Sequence, residues 1–248
     1  MKIMHLISGG DVGGAKTHVI SLLEELSKRN EVELVCFVEG PFAQEARDCG
    51  INTRVLKKRS LFHIARELKK YLKNKGYDIL HCHGSKANVV SMLMGKASCP
   101  IISTIHSDPR LDYMGRPLAN LTTGLLNRFA LRRRDGWVAV SDAMKERMIS
   151  RGYDGGRMEV IYNGVAFPKK LPHLPRQAYL QSLGLDWDEG NVIYGIAARI
   201  DPVKDMTTLV KAFARTVEAC PEARLLIAGI GDQEQEIRSL AAQLCPEG

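Results

Sequence analysis

No stretch of the chain approaches the roughly 18 consecutive apolar residues that a bilayer-spanning helix needs. Residues 1–7 are too short for the apolar core of a signal peptide and run directly into glycines, which reads against export and for a cytoplasmic protein. The six cysteines (36, 49, 82, 99, 220 and 245) contain no C-x-x-C pair. Without an export signal they are expected to be reduced thiols. The basic stretches lack interleaved aromatic residues and no nucleic-acid-binding motif is present, so nucleic acid is not expected as a partner. What remains is 45% apolar and 25% charged over 248 residues, which excludes disorder, collagen and coiled coil for the chain as a whole. The length fits one large or two small domains.

Charge is unevenly placed. The net charge is +7, but residues 1–170 hold 28 basic and 17 acidic groups, whereas residues 171–248 hold 7 and 11. A basic part joined to an acidic part points to two modules with different surfaces. The densest run, 54–75, holds nine Lys/Arg and one acid, Glu67. Within it Leu61, Ile64, Ala65, Leu68 and Leu72 follow helical spacing, as in a surface helix packed on a sheet. Its basic face also suits an anionic lipid surface or an anionic acceptor.

Strand and helix signals alternate along the chain. Strands are expected at 2–8, 33–38, 53–56, 78–82, 101–106, 137–140 and 158–162, with helices between them, one spanning 117–133. Pro168, Pro172 and Pro175 mark the start of a linker. After a short helix at 178–183, strands at 192–197 and 224–228 alternate with helices at 206–219 and 233–244. This pattern predicts an α/β fold: one complete doubly wound parallel sheet, then the opening of another.

Several strand ends carry residues suited to chemistry. Gly9-Gly10-Asp11-Val12-Gly13-Gly14 joins a strand to a helix, where free backbone N–H groups and small residues admit a phosphate. The spacing is not G-x-G-x-x-G. Gly10-x-x-x-x-Ala15-Lys16-Thr17 narrowly misses a P-loop, with Ala15 in place of its second glycine, so a P-loop nucleotide-binding protein stands as an alternative. His81 and His83 share one face of their strand and are expected to line a cleft beyond its carboxyl end. No third metal ligand is evident beside them, and no metal site is assigned. His106 closes the next strand and can serve as acid, base or hydrogen-bond donor. Ser141 lacks the glycines of a nucleophile elbow and reads as a helix N-cap. Further on, Arg199 and Lys204 place two cations between a strand and a helix, an arrangement suited to a diphosphate. Gly229 and Gly231 mark the following strand-to-helix crossing.

In order and spacing these elements resemble glycosyltransferase family 4, retaining nucleotide-sugar enzymes of the GT-B fold. Gly13-Gly14 with the helix bearing His18 resembles the family's N-terminal glycine loop, and Asp78-Ile-Leu-His81-Cys-His83 its D-h-h-H-x-H strand, where h is apolar. Thr104-Ile-His106 resembles its T-x-H element, Val140-Ser141 a common helix start, and Val160-Ile-Tyr-Asn163-Gly164-Val165 the segment before its interdomain linker. Arg199 and Lys204 match the G-R-x-x-x-x-K-G element, although Ala198 and Asp205 replace its glycines. Gly229 to Asp232 is similar to the next G-x-G segment.

The resemblance implies an acceptor-side Rossmann-like domain at 1–170, a linker and short helix at 171–190, and the start of a nucleotide-sugar domain at 191–248. It implies a hexosyltransferase whose donor is a sugar on UDP or GDP, with no further cofactor and no metal. The acceptor would be a cell-envelope glycan or lipid-linked molecule, met peripherally at the inner face of the membrane through 54–75. By the same resemblance His106 is the catalytic residue, and Gly13, Gly14, Arg199 and Lys204 hold the donor diphosphate. His18, His81, His83, Ser141, Asn163, Gly229 and Gly231 line the cleft. The family's paired-glutamate motif is expected beyond residue 248, so these 248 residues alone are expected to be a non-catalytic fragment of the parent enzyme.

Overall fold

The structure, a computed structural model, describes residues 1–10, 14–57, 60–112, 117–164 and 174–245. The chain divides into two compact units, Met1–Ala166 and Phe167–Gly248.

The first unit is a parallel sheet wrapped by helices. In chain order its elements are β1 (Lys2–Ile7), α1 (Gly14–Ser27), β2 (Glu31–Cys36), α2 (Pro41–Asp48), β3 (Asn52–Val55), α3 (Leu61–Lys75), β4 (Ile79–His83), α4 (Gly84–Leu93) and β5 (Ile101–Ile105). There follow α5 (Pro117–Ala119), a π-helical turn (Asn120–Gly124), α6 (Leu125–Leu131), β6 (Gly136–Ala139), α7 (Asp142–Ile149) and β7 (Met158–Val160). The seven strands run in the order β3-β2-β1-β4-β5-β6-β7, with every pairing parallel.

Alternation along the strands builds two cores. Met4, Leu6, Leu80 and Cys82 pack with Leu68 and Leu72 of α3 and with Val90 of α4. Ile7, Leu34 and Cys36 pack on the other face with Val19 and Leu23 of α1 and Phe42 of α2. Burial on both faces makes these strands continuous apolar runs, as parallel sheets require. A third cluster joins Ile105, Trp137 and Ala139 to Leu131 of α6 and Met148 of α7.

Strand order reverses between β1 and β4, so the fold's switch point lies there, where open α/β sheets hold their ligands. The helix expected across 117–133 is interrupted by the π-helical turn. Thr122 Oγ1 donates to the Leu118 carbonyl at 2.9 Å, a back-bond of the kind that opens a helix ladder, and Gly124 follows.

The second unit holds α8 (Arg176–Ser182), β8 (Val192–Ala197), α9 (Met206–Ala219), β9 (Ala223–Ala228) and α10 (Glu234–Leu244). β8 and β9 pair in parallel, and Ile200, Met206, Val210 and Ile237 form the core. Val192 and Tyr194 of β8 remain 44% and 50% exposed although they share the strand face of Ile196, which packs on that core, so the helices cover this small sheet only in part among the described residues.

Candidate functional site

Four of the predicted site residues converge at the switch point, together with a fifth histidine that the sequence did not disclose. β1 pairs with β4 so that His5 stands opposite His81 and Ile7 opposite His83. β4 pairs with β5 so that His83 stands opposite Thr104. Residues of one parity share a sheet face, so His5, His81, His83 and Thr104 all lie on the side covered by α1, and His106 follows directly from β5.

The rings form a connected column. His5 Nδ1 meets His83 Nε2 at 3.0 Å, and His83 Nδ1 meets His106 Nε2 at 3.2 Å. His81 Nε2 meets Thr104 Oγ1 at 2.7 Å, and the His81 ring lies against that of His83 with centroids 4.3 Å apart. His18 on α1 stands edge-on to His106 at 5.1 Å. His5, His81 and His83 are buried, while His18 and His106 are half-buried and form the accessible end of the column.

Burial sets the charge state. Removing an imidazole from water disfavours its cation, and neighbouring rings disfavour a second charge. His5 is pushed down to about 3 and His106 to about 4, each mainly by burial and then by His18. His81 and His83 lie well below the ordinary histidine value, first through burial and then through the other rings. The column is therefore uncharged near neutral pH. It donates and accepts hydrogen bonds without holding a fixed cation.

His5, His81 and His83 are also the three-histidine group, among the described residues, whose ligand atoms lie within 4.8 Å of one another. A third nitrogen is thus present where the sequence showed two. The contact between His5 and His83 is at hydrogen-bond distance, and His81 is engaged by Thr104, so each ring has a partner, although His5 Nε2 has none among the described residues.

The loop after His106 is tied down by carboxylates. Asp112 accepts from Ser107 at 2.5 Å and from Ser85, which follows β4, at 3.3 Å. Asp108 takes a two-pronged ion pair from Arg151, with Arg151 Nη2 at 2.6 Å, and accepts from the Arg110 backbone N–H at 2.9 Å. The Arg151 hydrogen bonds are the main cause that holds Asp108 below its ordinary pKa.

The other predicted residues are distributed as follows. Gly14 opens α1, while Gly13 lies outside the described residues, as do Lys58 and Arg59 of the basic run. Gly9 adopts φ +85 and a Cβ there would stand 2.9 Å from the Val38 carbonyl, so the turn after β1 requires glycine. Ser141 caps α7, accepting from the Met144 backbone N–H at 3.2 Å. Asn163 is exposed after β7.

In the second unit Arg199 pairs with Asp201 at 3.0 Å, and exposed Lys204 ends a 3₁₀ turn leading into α9. Asp205, where the family pattern has glycine, keeps the left-handed conformation at φ 50 and caps α9 by accepting from Thr208. Gly229 and Gly231 press on a neighbouring segment: added Cβ atoms would lie 1.9 Å from the Ala198 carbonyl oxygen and 2.3 Å from that of Ile200. Their lack of side chains permits that backbone approach.

A parallel α/β unit with a polar switch point, followed by a second βα unit with cations at its first crossing, is a GT-B-type fold. The family model of Glycosyltransferase Family 4 matches residues 12–167, and the chain belongs to that family. It is 27% identical to a phosphatidyl-myo-inositol mannosyltransferase of Mycobacterium tuberculosis across 94% of its own length, but spans only 60% of the length of that relative. It is 25% identical to the putative glycosyltransferase EpsD of Bacillus subtilis, over 73% of this chain and 49% of that one. Among solved structures it is similar to Anabaena Alr3699/HepE in complex with UDP-glucose, with a TM-score of 0.77, 22% identity, and coverage of 100% of this chain and 67% of that one.

Proposed function

We propose that the polypeptide to which this chain belongs transfers a hexose from a nucleoside diphosphate to an acceptor at a membrane surface, with retention of anomeric configuration. The observation that carries this reading is the uncharged histidine column at the switch point of a family 4 fold, ending on half-buried His106. His106 donates a hydrogen bond to the transferred sugar. Arg199 and Lys204 take up the charge that develops on the leaving diphosphate, the type of stabilisation that contributes most in many enzymes. Gly13 and Gly14 let the phosphates approach the backbone at the start of α1. His18, Ser141 and Asn163 contribute to the substrate-binding surface of the first unit, and Gly229 and Gly231 to that of the second. The site is built from cationic side chains and backbone N–H groups and works without a metal ion.

The donor is a UDP or GDP sugar. UDP is supported by HepE, whose structures hold UDP and UDP-glucose. The segment 1–170 receives the acceptor, and the segment from 191 onward binds the donor. The 248 residues by themselves do not turn over donor, a reading supported by the partial cover of the two-stranded sheet, where Val192 and Tyr194 stay exposed.

A lipid-linked acceptor is supported by the surface of α5 and α6. Leu118, Leu121, Leu125, Leu126 and Phe129 are 79%, 65%, 47%, 49% and 50% exposed. They recur near helical spacing, and Arg128, Arg132 and Arg133 share their helix and its end, with the Arg133 guanidinium 4.2 Å from the Phe129 ring. An exposed apolar stripe of this size beside cations suits the boundary between headgroups and acyl chains. α3 adds a second basic surface, with Phe62 69% exposed near its start. No helix among the described residues is long and apolar enough to cross a membrane. In this reading the protein meets the bilayer peripherally, at its cytoplasmic face.

Thermal-shift measurements on the full-length protein with UDP, GDP and their sugars test the donor reading. A ligand at a hundred times its Kd stabilises the folded state by about 2.7 kcal/mol, which is readily resolved as a rise in Tm. A rise with one nucleoside diphosphate and not with the other is expected; no rise with any of them contradicts the reading. NMR of the glycoside formed reports whether the anomeric configuration is retained.

A further inference from the structure

His5 is fully buried, and its Nε2 has no hydrogen-bond partner among the described residues. Neither His5 nor His83 has a task in the transfer described above, yet both are in line with His106. A neutral imidazole carries one N–H and one lone pair. Where two ring nitrogens meet at hydrogen-bond distance, one donates and the other accepts. The contacts at 3.0 Å and 3.2 Å therefore bind His5, His83 and His106 into one shared pattern of protons.

Only two patterns satisfy both contacts. In one, all three rings carry their proton on Nδ1: His5 donates to His83, His83 donates to His106, and the buried His5 Nε2 is a bare lone pair. In the other, all three protons sit on Nε2 and the donations reverse. His5 Nε2 is then an N–H with nothing to receive it. A buried N–H without an acceptor is rarer in proteins than a buried acceptor that lacks a donor. The first pattern is the favoured one. His81 stands outside it, because its Nε2 is committed to Thr104.

We propose that His5 and His83 are positioning residues that fix His106 as its Nδ1–H tautomer, so that the nitrogen not occupied by His83 is a hydrogen-bond donor to substrate. The substrate-facing part of this rests on the site reading above; the tautomer itself does not. It makes His106 a donor rather than a base, which suits a histidine that supports a departing group or sugar hydroxyl. A metal ion held by His5 and His83 would instead displace the proton between them.

The test is the long-range nitrogen–proton correlation spectrum of the full-length protein carrying heavy nitrogen in its histidines, which reports the protonated nitrogen of each ring. His106 is expected to be protonated at Nδ1 in the wild type. It is expected to stay so in His5→Asn, whose carboxamide N–H replaces the Nδ1–H donor, and to divide between both tautomers in His83→Phe, which removes the ring that His106 Nε2 accepts from. Protonation at Nε2 in the wild type overturns the proposal. So does a His83→Phe protein with an otherwise native amide spectrum and an unchanged His106 tautomer, and so does a stoichiometric metal ion with no proton on His5 Nδ1. Should His83→Phe fail to fold, the wild-type spectrum and His5→Asn still decide. Activity of His106→Ala addresses the other reading separately: an undiminished rate removes His106 from the transfer and leaves the tautomer result standing.

Discussion

His83 Nδ1 lies 3.2 Å from His106 Nε2, and this contact links the half-buried end of the histidine column to its buried floor. It occupies one nitrogen of His106 and leaves the other for the hydrogen bond proposed above. Losing a preorganised donor to developing charge costs on the order of 10²-fold in kcat. His106→Ala is expected to show that loss with a small change in the KM for donor, in steady-state kinetics on the full-length protein. A raised KM with unchanged kcat would assign His106 to ground-state binding instead.

Acid should weaken the first unit earlier than its carboxylates alone would. The folded pKa values of His5 and His106 lie near 3 and 4, below the ordinary histidine value, because burial disfavours the cation. Between those values and about 6.5 the unfolded chain binds more protons than the folded one, so stability rises with pH there. The contribution is complete above about pH 6.5 and is lost as pH falls towards the folded values, by up to about 1.4 kcal/mol per pH unit for each ring. Urea unfolding at about pH 7.5, 6 and 5 checks this. Equal stability at all three contradicts a buried neutral column.

Asp205 occupies a left-handed conformation that costs a non-glycine residue about 1–2 kcal/mol. Its carboxylate caps α9 in partial compensation. Glycine removes the backbone cost and is only a few tenths of a kcal/mol worse as a cap. Asp205→Gly is therefore expected to raise the stability of the second unit by up to about 1 kcal/mol, whereas Asp205→Ala, which keeps the strain and loses the cap, lowers it by about 1 kcal/mol. Denaturant midpoints of the two variants check the opposite signs; a stabilised alanine variant would contradict this account.

The apolar stripe on α5 and α6 predicts binding to vesicles. Full-length protein is expected to co-sediment with anionic vesicles at low salt and less with neutral ones. Leu121→Ser combined with Leu125→Ser should release it while leaving Tm nearly unchanged, because both side chains are exposed. Absence of binding at low salt would remove the membrane from the reading.

Much of the fold was legible because strands and helices alternate with distinct periods. Most expected elements lie within a few residues of those found, and the parity of His81 and His83 already placed both on one face. His5 was not legible: a lone histidine in an apolar strand is silent until β1 pairs with β4, more than seventy residues away, in one particular register. A histidine that interrupts a continuous apolar strand was the available signal. The π-helical turn was hidden because Thr122 and Gly124 alter the ladder without disturbing the pattern of apolar residues. The close approach that Gly229 and Gly231 allow was equally hidden, since it depends on where the backbone of Ala198 and Ile200 passes.

The most direct test of the central claim is a count of nucleoside diphosphate released against glycosidic bonds formed, using full-length protein, nucleotide sugars and lipid vesicles. The account predicts one diphosphate per bond, and a rate lowered about 10²- to 10³-fold when Arg199 and Lys204 are both replaced by alanine. A full rate in the double variant, or no bond formed from any nucleotide sugar, would contradict it.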